Sequence, residues 1–195
     1  MDWGSGKNFG VATREEIAGF SGRQFLQAMI DGRVTAAPIG KTMSFKLVEA
    51  GEGFAIFEGE PGPHLLNPLG GVYGGWALAL IDSITGCAAH STLPVGVGFA
   101  TVETKANFSR PIAPDTGRVR AEGRVVNKGR TIISAEGRIL DSRGRLLAHG
   151  TSTLIVLMPG LWEGSSRPSR TKVAKPCGKP AGNVTSLTRA PPDRD

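Results

Sequence analysis

The chain has 195 residues, 39% of them hydrophobic, with a mean hydropathy of −0.08 and a formal charge of +6. That length suits one domain of ordinary size with extra segments at its ends. No run approaches the roughly 20 apolar residues that a membrane span requires. The pI near 9.7 raises nucleic acid as a partner, but from residue 159 onward Lys and Arg outnumber Asp and Glu by seven to three. Four of the six excess charges therefore sit in the tail. The body, with its single Tyr73 and scattered Phe, offers no stacking surface for bases, so neither nucleic acid nor membrane is expected as a partner.

Residues from about Thr13 to Asp31 predict one amphipathic helix, with Thr13 as N-cap, Glu16 at the capping-box position and Gly32 to end it. Lys41 to Glu49 and Gly53 to Glu58 alternate apolar and polar residues about a Gly/Glu turn and read as a hairpin. The Pro- and Gly-rich stretch from Gly59 to Gly71 reads as a loop. Val72 to about Ser91 is apolar on nearly every side, which marks a helix covered all round. Four strand-like runs follow, Gly98 to Phe108, Gly117 to Asn127, Thr131 to Leu140 and Arg145 to Leu157, and their spacing suggests an antiparallel meander. In the second of these Val119, Ala121, Gly123 and Val125 alternate with charged residues, so one face packs on something apolar; the buried helix is the natural partner. From Pro159 periodicity disappears and a disordered tail is expected. The division is thus 1–40 as an extension, 41–158 as the folded domain and 159–195 as the tail.

Two cysteines, Cys87 and Cys177, make neither a disulfide framework nor a metal cluster. The N-terminus lacks the charged-then-apolar plan of a secretory signal, so a cytoplasmic location is expected.

The most informative stretch runs from Asn67 to Asp82. A carboxylate in such an apolar helix costs several kcal/mol unless paired or solvated, and such a cost is usually kept for chemistry. The start of the helix presents unpaired N–H groups and the positive end of the dipole, a cradle for a developing oxyanion. Gly74 and Gly75 allow close approach to that backbone, and Asn67 can add an amide donor. Asp82 lies eight residues beyond Gly74, roughly 12 Å along the axis at 1.5 Å per residue. One chain's Gly74 and Asp82 therefore cannot serve one reacting carbonyl. Two antiparallel copies of the helix across a two-fold axis can, which implies a homodimer.

The order helix, hairpin, Gly-led buried helix and four strands, with this motif, resembles the hotdog-fold acyl-CoA thioesterases of the phenylacetate-pathway (PaaI-like) type. The likeness spans about Lys41 to Leu157. The resemblance implies an α+β hotdog fold, an antiparallel sheet wrapped around a long central helix. It also implies hydrolysis of acyl-CoA to a carboxylic acid and coenzyme A without a metal or other cofactor. By the same likeness Asn67 and the Gly74 N–H would polarise the thioester carbonyl. Asp82 of the facing subunit would attack it or activate water, and Thr101 would orient that water. Tyr73 stands where the family usually has His, and Tyr73, Gly75 and Trp76 would line the substrate site. Lys128 and Arg130, in the turn after the second of the four strands, would meet coenzyme A phosphates. The assembly implied is a homodimer or a dimer of dimers. The replacement of His by Tyr keeps a second reading open, a non-catalytic acyl-CoA-binding or regulatory hotdog protein, and a third in which the helix only packs a structural dimer. His64, His90 and His149 fall in no catalytic setting.

Overall fold

A computed structural model describes residues 9–159 of the chain. The tail expected from Pro159 onward lies almost wholly outside the described residues. Where one helix is expected between Thr13 and Asp31, two form: α1 (Arg14–Ile17) and α2 (Gly22–Ile30). Each has its own capping box, Thr13 with Glu16 and Ser21 with Gln24. Gly19 between them has φ +89°, a left-handed conformation that no helix can pass through. The apolar stripe was legible, but the second cap and the glycine break it.

A short helix α3 (Pro38–Thr42) then takes up Lys41 and Thr42, so the hairpin starts later than its alternation suggests. Strands β1 (Phe45–Gly51) and β2 (Phe54–Gly59) pair antiparallel through a tight turn at Glu52 and Gly53. The long helix α4 (Gly74–His90) follows, and then β3 (Gly98–Phe108), β4 (Val119–Lys128), β5 (Ile132–Leu140) and β6 (Leu146–Leu157).

All six strands form one antiparallel sheet in the order β1-β2-β4-β5-β6-β3. The expected meander holds only for β4, β5 and β6. After α4 the chain runs into β3 at the far edge, against β6, and then crosses back to lay β4 beside β2. Strand periodicity tells which face is buried, not which neighbour is taken, so this order was not readable from the runs themselves.

Helix α4 lies against the concave face of the sheet and buries Ala77, Leu80, Ile81, Ile84 and Ala88 there. The sheet accommodates it with a row of glycines in direct register, Gly123 opposite Gly137 and Gly137 opposite Gly150. A Cβ at Gly123 would stand 2.4 Å from the Ile84 carbonyl oxygen, and one at Gly137 would stand 2.7 Å from the Ile84 side chain. The row is a seat for the helix backbone. It leaves Leu78, Ala79, Asp82, Ser83 and Cys87 on the face of α4 turned away from the sheet, half-buried or exposed. The α+β arrangement of a sheet wrapped around one long helix is thus borne out.

Candidate active site

Asp82 sits midway along α4 on this outward face and helps to line a cavity of about 210 Å³. The Asp82 carboxylate bonds neither of its polar neighbours on the helix, Ser83 or Thr85. The Ser83 hydroxyl donates back to the Ala79 carbonyl, and Thr85 Oγ1 lies within reach of the Ile81 and Asp82 backbone carbonyls. Instead Thr104 Oγ1 donates to Asp82 Oδ1 at 3.0 Å. Thr104 lies 3.0 Å from Ser152 Oγ, and Ser152 lies 2.7 Å from Thr85 Oγ1. A chain of three hydroxyls thus runs from the buried side of α4 out to the carboxylate. Among the described residues Oδ2 of Asp82 has no protein donor, so one oxygen is held and the other is available to a reactant.

Thr104 is the residue that sequence reading missed, and a bulge explains why. In β3 Thr101 pairs with Leu154 and Glu103 with Thr153, which leaves Val102 without an opposite number. An extra residue flips the alternation, so Thr101 and Thr104, on opposite faces of a regular strand, come to the same one. Thr101 lines the cavity beside Asp82, and Thr104 holds the carboxylate. The available signal was the ladder partner Ser152: Thr opposite Ser on neighbouring strands.

The start of α4 forms a second cavity, of about 340 Å³, lined by Tyr73, Gly74, Phe108, Arg110 and neighbouring apolar residues. Tyr73 is the N-cap and provides no side-chain cap. The Gly74 and Gly75 N–H groups have no protein acceptor among the described residues. The Tyr73 ring folds over Gly75, where a Cβ would stand 2.3 Å from it, so in this arrangement only Gly74 lines the cavity. Arg110, which sequence reading also passed over, lines the same space and donates through Nη1 to the Leu146 carbonyl. Gly74 and Asp82 belong to different cavities of one chain, as the roughly 12 Å of helix between them requires.

Asn67 is held in its loop. Its Oδ1 accepts from the N–H groups of Leu69 and Gly71, at 2.9 and 3.2 Å, which directs the amide nitrogen away as the free donor. Asn67 lines neither of the two cavities. Trp76, expected to shape the substrate site, is instead a core residue, fully buried with Nε1 donating to the Met43 carbonyl at 2.6 Å. A large amphipathic ring under the α3–β1 junction satisfies its N–H there, which is the ordinary requirement for a buried Trp.

Lys128 donates to the Thr92 carbonyl just past the C-terminus of α4, a favourable place for a cation. Arg130 is exposed in the turn. His64 bonds Ser44, and His149 is exposed on β6. His90 is packed between the rings of Phe25 and Phe99, and burial pushes its pKa down to about 4. Cys87 shares the cavity with Asp82; burial, and secondarily the Asp82 charge, push its thiol up to about 12, so it stays protonated. Among the described residues no cluster of His, Cys, Asp and Glu is placed to hold a metal ion.

Comparison with known proteins relates the chain and its fold to one family. A model of the thioesterase superfamily matches residues 69–148, from the α4 entry loop into β6. A Saccharolobus solfataricus protein named as an esterase is 32% identical over 123 residues, 63% of this chain and 85% of that protein. A phenylacetic acid degradation-related protein of Ralstonia eutropha superimposes with TM-score 0.62 at 24% identity, over 67% of this chain and 98% of its own. A Streptococcus mutans protein bound to acetyl-CoA superimposes with TM-score 0.54 at 26% identity, over 59% of this chain and 90% of its own. The chain therefore belongs to the thioesterase superfamily and has its hotdog fold.

Proposed function

We propose that the protein is a homodimeric acyl-CoA thioesterase, with Asp82 as nucleophile or general base. The observation that carries this reading is Asp82 itself, a carboxylate on the open face of an apolar helix with one oxygen held by Thr104 and the other available. In the general-base route water adds to the thioester carbonyl as Asp82 takes its proton. The C–S bond then breaks, and coenzyme A leaves as a thiolate that recovers the proton. In the nucleophilic route Asp82 forms a mixed anhydride as the thiolate leaves, and water opens the anhydride to regenerate the carboxylate. Either route develops negative charge on the carbonyl oxygen, and the Gly74 N–H with the Asn67 amide of the facing subunit would stabilise it. Each such donor is typically worth about 2.7–4 kcal/mol in the transition state. Thr101 would position the water, and Lys128 and Arg130 would meet the coenzyme A phosphates.

The second copy is supported by what one chain leaves open. Among the described residues the outer edge of β3 has no partner strand, and Val102 and Phe108 along it are 64% and 57% exposed. Tyr73 and Leu78 on the adjoining helix face are 64% and 38% exposed. A long unpaired edge beside an apolar patch is normally covered, and a second copy with its helix antiparallel would cover it while bringing Gly74 toward Asp82. The acetyl-CoA-bound Streptococcus relative supports coenzyme A esters as the ligand class. No metal or redox cofactor enters either route.

Incubation of the purified protein with acyl-CoAs, following free thiol, tests the reading. Turnover by wild type and its loss by at least about a hundredfold in Asp82→Ala, with the dimer intact by light scattering, is the expected result. Binding of coenzyme A without turnover would favour the acyl-CoA-binding protein instead.

A further inference from the structure

The three hydroxyls behind Asp82 have a direction, and it follows from counting protons. Each hydroxyl carries one proton, and an ionised carboxylate only accepts. Thr104 spends its proton on Asp82 Oδ1 at 3.0 Å. Its 3.0 Å contact with Ser152 then needs Ser152 as the donor, which uses the Ser152 proton in turn. The 2.7 Å contact between Ser152 and Thr85 is left with Thr85 as its donor, since any other placement sets lone pair against lone pair at that distance. The Ile81 and Asp82 carbonyls, 2.9 and 3.1 Å from Thr85 Oγ1, compete for the same proton, but both already accept from N–H groups within α4. Thr85 and Ser152 are both buried, so bulk water reaches neither. The Thr85 methyl sits over the glycine row, 3.3 Å from where a Cβ on Gly137 would stand, while its hydroxyl reaches β6.

We propose that Thr85 and Ser152 are positioning residues for Asp82, forming with Thr104 a one-way line of donors that ends on Oδ1 and holds the carboxylate in a single orientation. No proton moves along the line. Each donor polarises the next hydroxyl and strengthens the bond that follows by roughly 10–30%. The line leaves α4 at Thr85, passes through β6 and β3, and returns to α4 at Asp82. It thus ties the acid to two strands of the sheet rather than to its own helix alone. Its effect on rate rests on the thioesterase function proposed above; its effect on the carboxylate does not.

Two measurements on the full-length protein test this. The first is the NMR resonance of the Asp82 carboxyl carbon at pH 8, assigned by its absence in Asp82→Asn, which reports the bonding of the carboxylate with or without turnover. It should move in Thr104→Val and less far in Ser152→Ala and Thr85→Val, and Thr85→Ser should return it to the wild-type position. In a Thr104→Val background neither Ser152→Ala nor Thr85→Val should move it further. The second is hydrolysis of acyl-CoA by the same variants. Thr85→Val and Ser152→Ala should each lower kcat about two- to threefold and leave KM unchanged. Neither should add to the loss in Thr104→Val, because a residue that acts only through Thr104 has no effect once that hydroxyl is gone. Thermal melts confirm that each variant is folded. Ser152→Ala leaves the Thr85 hydroxyl on the Ile81 carbonyl and orphans no group, so it carries the test if Thr85→Val does not fold. An Asp82 resonance unmoved by the distal variants, or distal losses as large in the Thr104→Val background as in wild type, would overturn the proposal. Coupled shifts without hydrolysis of any acyl-CoA would uphold the line of donors and defeat the hydrolase reading. Hydrolysis with the resonance unmoved would do the reverse.

Discussion

Thr104→Val tests whether the hydroxyl chain serves the carboxylate. The substitution keeps the branched shape and removes one oxygen, which abolishes the 3.0 Å bond to Asp82 Oδ1 and the 3.0 Å contact with Ser152. Ser152 keeps its 2.7 Å contact with Thr85, so no buried hydroxyl is orphaned and folding should lose only about 1 kcal/mol. A hydrogen bond to a charged group is worth about 1.5–3 kcal/mol, and if it aims the carboxylate at the reacting carbonyl its loss appears in kcat as about tenfold to a hundredfold. KM should stay near wild type, because Thr104 is not among the residues lining the cavity. Thr104→Ser, which restores the oxygen, should recover most of the rate. The assay is thiol release at saturating and limiting acyl-CoA, with thermal melts of each variant. Wild-type kcat in Thr104→Val, or a loss that Thr104→Ser fails to repair, would refute the positioning role.

His90 has its pKa lowered to about 4 by burial, so as pH falls from 6.5 toward 4 the unfolded chain takes up a proton that the folded one refuses. Stability should fall across that window by up to about 3 kcal/mol, and His90→Phe should flatten the decline in urea titrations at stepped pH. Gly123→Ala drives a methyl to 2.4 Å from the Ile84 carbonyl and should cost at least about 2 kcal/mol in the same titrations. An unchanged midpoint would mean that α4 is not seated on the glycine row. Cys87, with its thiol pushed up to about 12, should resist iodoacetamide at pH 8 in a Cys177→Ser background until the protein is unfolded, as mass spectrometry would record.

Much of this molecule could be read from local pattern because local pattern reports burial. The all-apolar run that became α4 and the alternation that became β4 placed both elements within a residue or two, and the same run singled out Asp82 as its one carboxylate. Even the separation of Gly74 from Asp82 followed from helical rise alone. Thr104 is different: its place beside Asp82 depends on a bulge at Val102 and on pairing with β6, and neither leaves a mark on the strand's own sequence. The seat under α4 is of the same kind, since Gly123, Gly137 and Gly150 are widely spaced in the chain and become a row only when three strands align. Trp76 read as a pocket residue from its place beside the motif, and only the packing of α3 over it made it core. Side-chain hydrophobicity along the chain decides which face of an element is hidden. Register between elements, a property of no single segment, decides which hydroxyl meets the acid and which walls enclose it.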